Sequence, residues 1–269
     1  MTNIIKTSSL ITKDNLNARI DLPHNKDELF VLSKTINDLL DRIEDAIEHE
    51  KQFTSDASHE LRTPLAVIKG TLEVLVRKPR EKQEYEEKIN FCVNEVDRLN
   101  NLVDELLLLA RFENQKLNNK IENVYLNAII LDSLSRYSEK IKVNNLTITS
   151  HFNQEYYIQS DYYLISIIVG NLVSNAIKYS NENGKVEINL EKKDSKTILK
   201  ISNTGNGIHK KDLDKIFNSF YRAENSNNPD IKGTGLGLSI VKRLCDLLSI
   251  TIEISSIESK GTTLILSIP

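Results

Sequence analysis

Tryptophan is absent from this chain, and cysteine, methionine, proline and glycine are scarce: two, one, five and nine residues out of 269. So few helix breakers suit a helix-rich protein. Cys92 and Cys245 each sit in an apolar helical pattern. Their spacing excludes a metal site, and their setting points to buried thiols in a reducing compartment. No run of about 18 apolar residues occurs, so nothing in the sequence is expected to span a membrane. Met1–Leu10 lacks a basic start followed by an apolar block, so no secretory signal is expected either. A net charge of −3 and a pI of about 6.0 give no basic field, which excludes nucleic acid as the expected partner. Asn and Lys are abundant, a compositional bias. The length allows two or three small domains.

The most informative stretch is Phe53–Gly70, FTSDASHELRTPLAVIKG. Ala57, Leu61, Leu65, Ile68, Leu72 and Leu75 recur at steps of three and four, an apolar helical stripe. At about 100° per residue, His59 falls opposite the centre of that stripe, where a core histidine would not lie. Thr63 follows one turn along on the same outer face, and Ala66 and Gly70 continue it with almost no side chain. Pro64 removes the N–H that would reach the Glu60 carbonyl, so a bend beside His59 is expected. An exposed imidazole beside a hydroxyl, above a bare strip, invites a partner surface. Ser58-His59-Glu60-Leu61-Arg62-Thr63-Pro64-Leu65 resembles the phospho-acceptor box of bacterial sensor histidine kinases.

Upstream, Asp27-Glu28-Leu29 opens a helix with acids in its first turn. Leu29, Ile36 and Ile43 then share one heptad position, and Leu32, Leu39, Ala46 and Phe53 the other, a coiled-coil seam running into the His59 helix. A plain dimerising coiled coil would explain the seam. Ile5–Ile47 also resembles a HAMP linker, with a short helix, a connector, Asp-Glu-Leu, and Asn37 in a second helix. That resemblance implies the cytoplasmic region of a bacterial plasma-membrane receptor, anchored through a segment absent from this chain.

Helix one of the next unit is expected from about Glu50 to Arg77, and Lys78-Pro79-Arg80 breaks it. Ile89, Cys92, Val96, Leu99, Val103, Leu106 and Ala110 mark a second helix, antiparallel to the first because the connection is short. Two helices cannot shield both stripes, so a four-helix bundle made by a homodimer is expected. This matches the dimerisation and histidine-phosphotransfer (DHp) domain of the kinase family. Asn114–Asn119 reads as a linker. The expected domains are 1–48 (HAMP linker), 49–115 (DHp) and 119–269 (ATP binding).

After Ile121 the pattern becomes mixed. Strands are expected at Val124–Tyr125, Leu146–His151, Lys185–Leu190, Thr197–Ser202, Thr251–Ser256 and Thr263–Ile268, and helices at Asn127–Lys142 and Asp161–Tyr179. Runs of helix and antiparallel strand predict an α+β sandwich, one sheet covered by helices on one face.

Four motifs lie in this region. Asn171, Asn175 and Lys178 share one helix face in Asn171-Leu172-Val173-Ser174-Asn175-Ala176-Ile177-Lys178-Tyr179-Ser180. Two carboxamides and an ammonium suit a metal-bound polyphosphate. Asn203-Thr204-Gly205-Asn206-Gly207 follows a strand, and Lys232-Gly233-Thr234-Gly235-Leu236-Gly237 precedes a helix, so backbone can approach a ligand and free N–H groups can meet phosphate. The late position of these glycines disfavours a dinucleotide fold. Between them Phe217 and Phe220 stand three apart with Arg222 at hand; core packing alone would also explain the Phe pair. The polar run Ala223–Lys232 suits a lid.

In this order the motifs resemble the Asn box, first Gly box, Phe box and second Gly box of the GHKL-type ATPase domain. The resemblance implies ATP and Mg²⁺ as cofactors, with Asn175 on the metal, Lys178 and Arg222 on phosphates, Tyr179 along the adenine, and Gly233–Gly237 shaping the lid. It implies phosphotransfer from His59 to an Asp of a response regulator, with Glu60 assisting. The pair Glu60 and Thr63 also implies phosphatase activity toward that regulator. One departure is Asn203, where the family has an acid that accepts from the adenine amino group. A carboxamide oxygen still accepts, without charge, at a cost on the order of 1 kcal/mol. A GHKL ATPase without phosphotransfer leaves the His59 box unexplained; a scaffold with a degenerate ATP site predicts no ATP binding.

Overall fold

In a computed structural model of the chain, residues 18–113, 120–223 and 233–269 are described. The expected short first helix of the HAMP-like stretch, the Asn114–Asn119 linker and most of the expected lid lie outside them. The chain divides into two compact units, Met1–Thr63 and Pro64–Pro269.

Helix α1 (Glu28–Val76) begins in the first unit and carries on into the second. Asp27 opens it, its carboxylate accepting from the Leu29 and Phe30 amides at 3.1 and 3.2 Å, which satisfies two of the donors a helix start leaves over. Asn37 clamps the connector: its carboxamide accepts from the Ile20 amide and donates to the Ile20 carbonyl, both at 2.9 Å. Arg19 pairs with Asp41 and Glu44 alongside. Ile20 and Leu40 are buried, whereas the seam residues Leu32, Leu39 and Ile43 stay exposed on a single chain. The helix runs through Pro64 without interruption, since proline costs it one internal bond rather than a whole turn.

In the second unit, Arg80 holds the turn after α1, bonding Glu84 and donating to the Val74 carbonyl at 3.3 Å. Helix α2 (Lys82–Glu113) completes the hairpin. Then follow β1 (Ile121–Tyr125), α3 (Leu126–Ser135), α4 (Ser138–Val143), β2 (Thr147–Phe152), β3 (Tyr157–Asp161), α5 (Tyr162–Lys178), β4 (Lys185–Lys193), β5 (Lys196–Thr204), α6 (Gly237–Leu247), β6 (Thr251–Ile257) and β7 (Gly261–Ile268).

The class is α+β, but its sheet arrangement differs from the expected single antiparallel sheet in two ways. The five-stranded sheet runs β2-β4-β5-β7-β6, and its β2–β4 pair is parallel. Parallel pairing becomes possible because the long connection between these strands contains α5, a crossover that a hairpin loop cannot supply. Strands β1 and β3 form a separate antiparallel pair. The helix expected over Asn127–Lys142 is also split: the Tyr137 amide turns back to the Leu134 carbonyl at 3.1 Å, and the Ser135 hydroxyl takes the Asp132 carbonyl at 2.8 Å.

The core lies between the sheet and α5. Leu164, Ile168, Leu172 and Ile177 are fully buried on the helix, as are Val186, Ile188 and Leu199 on the sheet. Each such side chain contributes about 1.5–3 kcal/mol by leaving water. Asp161 starts α5, accepting from the Leu164 amide at 3.0 Å, and its second oxygen catches the Lys120 amide at 2.9 Å. This fixes the direction of the helix that carries Asn171, Asn175 and Lys178.

Candidate functional site

A cavity of about 180 Å³ opens between the C-terminal half of α5, the end of β5 and the start of α6. Its floor is apolar, with Ile201, Ile254 and Leu264 from three strands of the sheet. Asn171, Asn175 and Lys178 line one wall, as their helical spacing predicts, and Tyr179 follows at the helix end. Asn203 comes from the end of β5 and Gly207 from the turn after it; Arg222, Gly233, Thr234, Gly235 and Gly237 complete the rim. An apolar slot with a few convergent polar groups is the usual form of a small-molecule site.

The turn after β5 is built for close approach. A Cβ on Gly205 would stand 2.1 Å from the Tyr179 carbonyl oxygen, so only glycine lets the chain pair Gly205 with Ser180. Gly205 thus stands behind the cavity wall rather than lining it. The Ile208 amide is held by Ser256 at 2.8 Å, tying the loop to β6. Asn203 donates its amide N–H to the Tyr179 carbonyl at 3.2 Å, so its carboxamide oxygen remains as an acceptor on a residue that lines the cavity.

At the opposite end, Leu236 is fully buried below the rim, and its amide meets the Thr234 hydroxyl oxygen at 3.3 Å. Lys232 lies outside the described residues. Arg222 donates to the Gly233 carbonyl at 3.5 Å. Tyr221, next to it, is anchored by its hydroxyl to buried Asp212 at 2.8 Å. Asn171 donates to the Ile167 carbonyl at 3.0 Å and so belongs partly to its own helix.

One charged wall residue lies outside every sequence motif. Glu105, on α2, accepts from the Thr234 hydroxyl at 2.8 Å across 129 positions of sequence. No local motif marks it. Burial pushes its carboxyl up, while the Thr234 hydroxyl and the Lys178 charge pull it back. Burial likewise pushes the Lys178 ammonium down; Lys140 and Arg222 add to that, and Glu105 opposes it. Tyr179 is raised by burial.

In the first unit, His59 and Thr63 are exposed on α1 and Glu60 is half-buried. The Thr63 hydroxyl donates to the His59 carbonyl at 3.1 Å. Among the described residues no cluster of three or more His, Cys, Asp or Glu could hold a metal. In the cavity of the second unit, carboxamide oxygens, the Glu105 carboxylate and the ligand itself are the available oxygen donors, a set that suits Mg²⁺.

Residues 160–269 match the family model of histidine kinase-, DNA gyrase B-, and HSP90-like ATPases, and residues 49–115 match that of the His Kinase A (phospho-acceptor) domain. This chain belongs to the sensor histidine kinases. Over 257 residues the kinase is 32% identical to the signal transduction histidine-protein kinase ArlS of Staphylococcus aureus, matching 94% of its own length but only 56% of that relative. It therefore spans a little over half the length of the curated relative. The solved structure of the Acinetobacter baumannii histidine kinase AdeS superposes with a TM-score of 0.62 at 28% identity, over 78% of this kinase and 96% of that chain. Histidine kinase ThkA, in complex with the response regulator protein TrrA, superposes with a TM-score of 0.67 at 26% identity, over 84% of this kinase and 63% of that chain. The C-terminal region is thus an ATP-binding domain of the GHKL class. Among the described residues no helix is long and apolar enough to cross a membrane.

Proposed function

We propose that this sensor kinase region phosphorylates its own His59 from ATP and passes the phosphoryl group to an Asp of a response regulator. The reading is carried by one observation: Asn175, Lys178, Asn203 and Arg222, from three motifs, line a single cavity floored by apolar side chains. In this reading the adenine lies on the floor beside Tyr179, with its amino group toward the Asn203 oxygen. Lys178 and Arg222 meet the phosphates. Residues 1–48, 49–115 and 119–269 act as HAMP linker, DHp domain and ATP-binding domain.

Asn175 is the proposed Mg²⁺ ligand, and its carboxamide makes no hydrogen bond among the described residues. When bound, Mg²⁺ offsets phosphate charge. The protein's own steps are these. The His59 Nε2 lone pair forms the N–P bond as the bond from the γ-phosphorus to the β,γ-bridging oxygen breaks. Glu60 takes the Nδ1 proton of the resulting imidazolium. Lys178 and Arg222 stabilise charge on the phosphoryl oxygens and on the departing ADP. The exposed face below His59, with Ala66 and Gly70, receives the regulator. Thr63, beside Glu60, positions water when the regulator is dephosphorylated.

A homodimer is part of the proposal. Leu32, Leu39 and Ile43, and separately Leu65, Leu72 and Val96, are more than a third exposed on one chain, an apolar excess that a second copy would cover. The HAMP-like connector supports a receptor anchored in the bacterial plasma membrane, with this region on the cytoplasmic side.

The test is incubation with γ-labelled ATP and Mg²⁺. Acid-labile, base-stable label that disappears in His59→Gln is the expected result. ATP hydrolysis without a phosphoprotein would reduce the chain to an ATPase. No ATP binding at all would make it a scaffold with a degenerate ATP site.

A further inference from the structure

The cavity contains a charge of the same sign as a polyphosphate. Among the described lining residues, Lys178 and Arg222 are the cations and Glu105 is the one acid. Glu105 belongs to none of the nucleotide motifs. It comes from helix α2 of the hairpin, which also packs against α6 of the ATP-binding domain. Its carboxylate takes the Thr234 hydroxyl at 2.8 Å, and its charge and that of Lys178 act on each other. An anion that accepts from a Gly-box hydroxyl and faces the phosphate-end lysine makes the contacts a phosphate oxygen would make. Without a cation between them, carboxylate and polyphosphate compete for this end: at a few ångströms, in a half-buried setting, like charges repel by kilocalories rather than tenths.

We propose that Glu105 is a built-in phosphate surrogate. In the nucleotide-free kinase it fills the phosphate end of the pocket and holds α2 against the second Gly box. Nucleotide phosphates displace it, so binding of ATP frees the ATP-binding domain from this contact with the hairpin. Adenosine, which lacks phosphates, leaves the contact in place. This rests on the nucleotide reading above and adds to it a coupling between occupancy and the hairpin.

The test compares wild type with Glu105→Gln, which keeps an acceptor for Thr234 but removes the charge. ATP, ADP and adenosine are titrated by calorimetry in EDTA, so that no Mg²⁺ bridges carboxylate and phosphates, and the free proteins are melted to check folding. The expected result is ATP and ADP binding about tenfold tighter in the variant, with adenosine unchanged within about twofold. Glu105→Ala should tighten ATP as well, because charge removal and not a new contact drives the gain. Unchanged or weaker ATP binding in both variants would overturn the proposal and leave the nucleotide reading standing. Equal tightening of adenosine would also overturn it, since that is a general change in the pocket. If neither wild type nor variants bind ATP, the nucleotide reading falls and this proposal with it.

Discussion

The Phe220 amide donates to the Gly235 carbonyl at 3.0 Å, and both residues stand at positive φ, +63° and +74°. This bond closes the Phe box onto the second Gly box and sets the rim of the cavity. A Cβ on Gly235 would lie 2.6 Å from the Phe220 carbonyl carbon. Gly235→Ala therefore meets a left-handed backbone cost of about 1–2 kcal/mol together with a clash against main chain that cannot swing aside. The expected outcome is a lower melting temperature and ATP binding weakened by roughly tenfold. Unchanged binding would mean that the rim does not shape the site.

Asn203 answers differently. Its N–H already serves the Tyr179 carbonyl, so Asn203→Asp removes a donor and sets a carboxylate against that carbonyl. The free protein should lose about 1 kcal/mol of stability, read as a shift in the urea midpoint. The new carboxylate would accept from the adenine amino group with its charge, so ATP binding should tighten several-fold. Stability and affinity moving in opposite directions is the signature. Both falling together would show that the carboxamide is the better partner for the base here.

How much of this was legible in the sequence follows from how local each feature is. The motif helix was readable, because Asn171, Asn175 and Lys178 owe their common face to helical spacing alone. The exposure of His59 was readable for the same reason. Gly205, expected to let backbone approach a ligand, stands behind the wall, because the close approach it permits is to the Tyr179 carbonyl. The parallel β2–β4 pair and the separate β1–β3 sheet were not readable, since strand alternation carries burial but not partner or direction. Glu105 was beyond reach: its role comes from a contact with Thr234 that tertiary structure makes and no spacing announces.

Glu105 also gives a pH signature. Burial raises its carboxyl above the ordinary 4.5. A raised carboxyl contributes stability that is fully present below the unfolded-state value and lost as pH rises through the folded-state value. Glu105→Gln is neutral at every pH and escapes that loss. The variant should therefore be more stable than wild type near neutral pH, with the gap closing as pH falls toward about 4.5. Urea midpoints of both proteins across this range provide the check. A gap that widened on acidification would mean that the ionised carboxylate is the form the fold prefers.

Thr63 offers the sharpest division of labour. Its hydroxyl proton is committed to the His59 carbonyl at 3.1 Å, which leaves its lone pairs free to accept from a water. That arrangement suits a group that positions water and has no part in the attack by the imidazole. Thr63→Val keeps the shape and removes the oxygen; Thr63→Ser keeps the oxygen. Labelling of His59 should survive in both. Dephosphorylation of the regulator should slow by at least about tenfold in Thr63→Val and stay near wild type in Thr63→Ser, a loss comparable to that of one positioned hydrogen bond. Equal loss of labelling and dephosphorylation in Thr63→Val would assign the hydroxyl to the structure of the helix around Pro64, where the missing proline N–H makes every added backbone bond count.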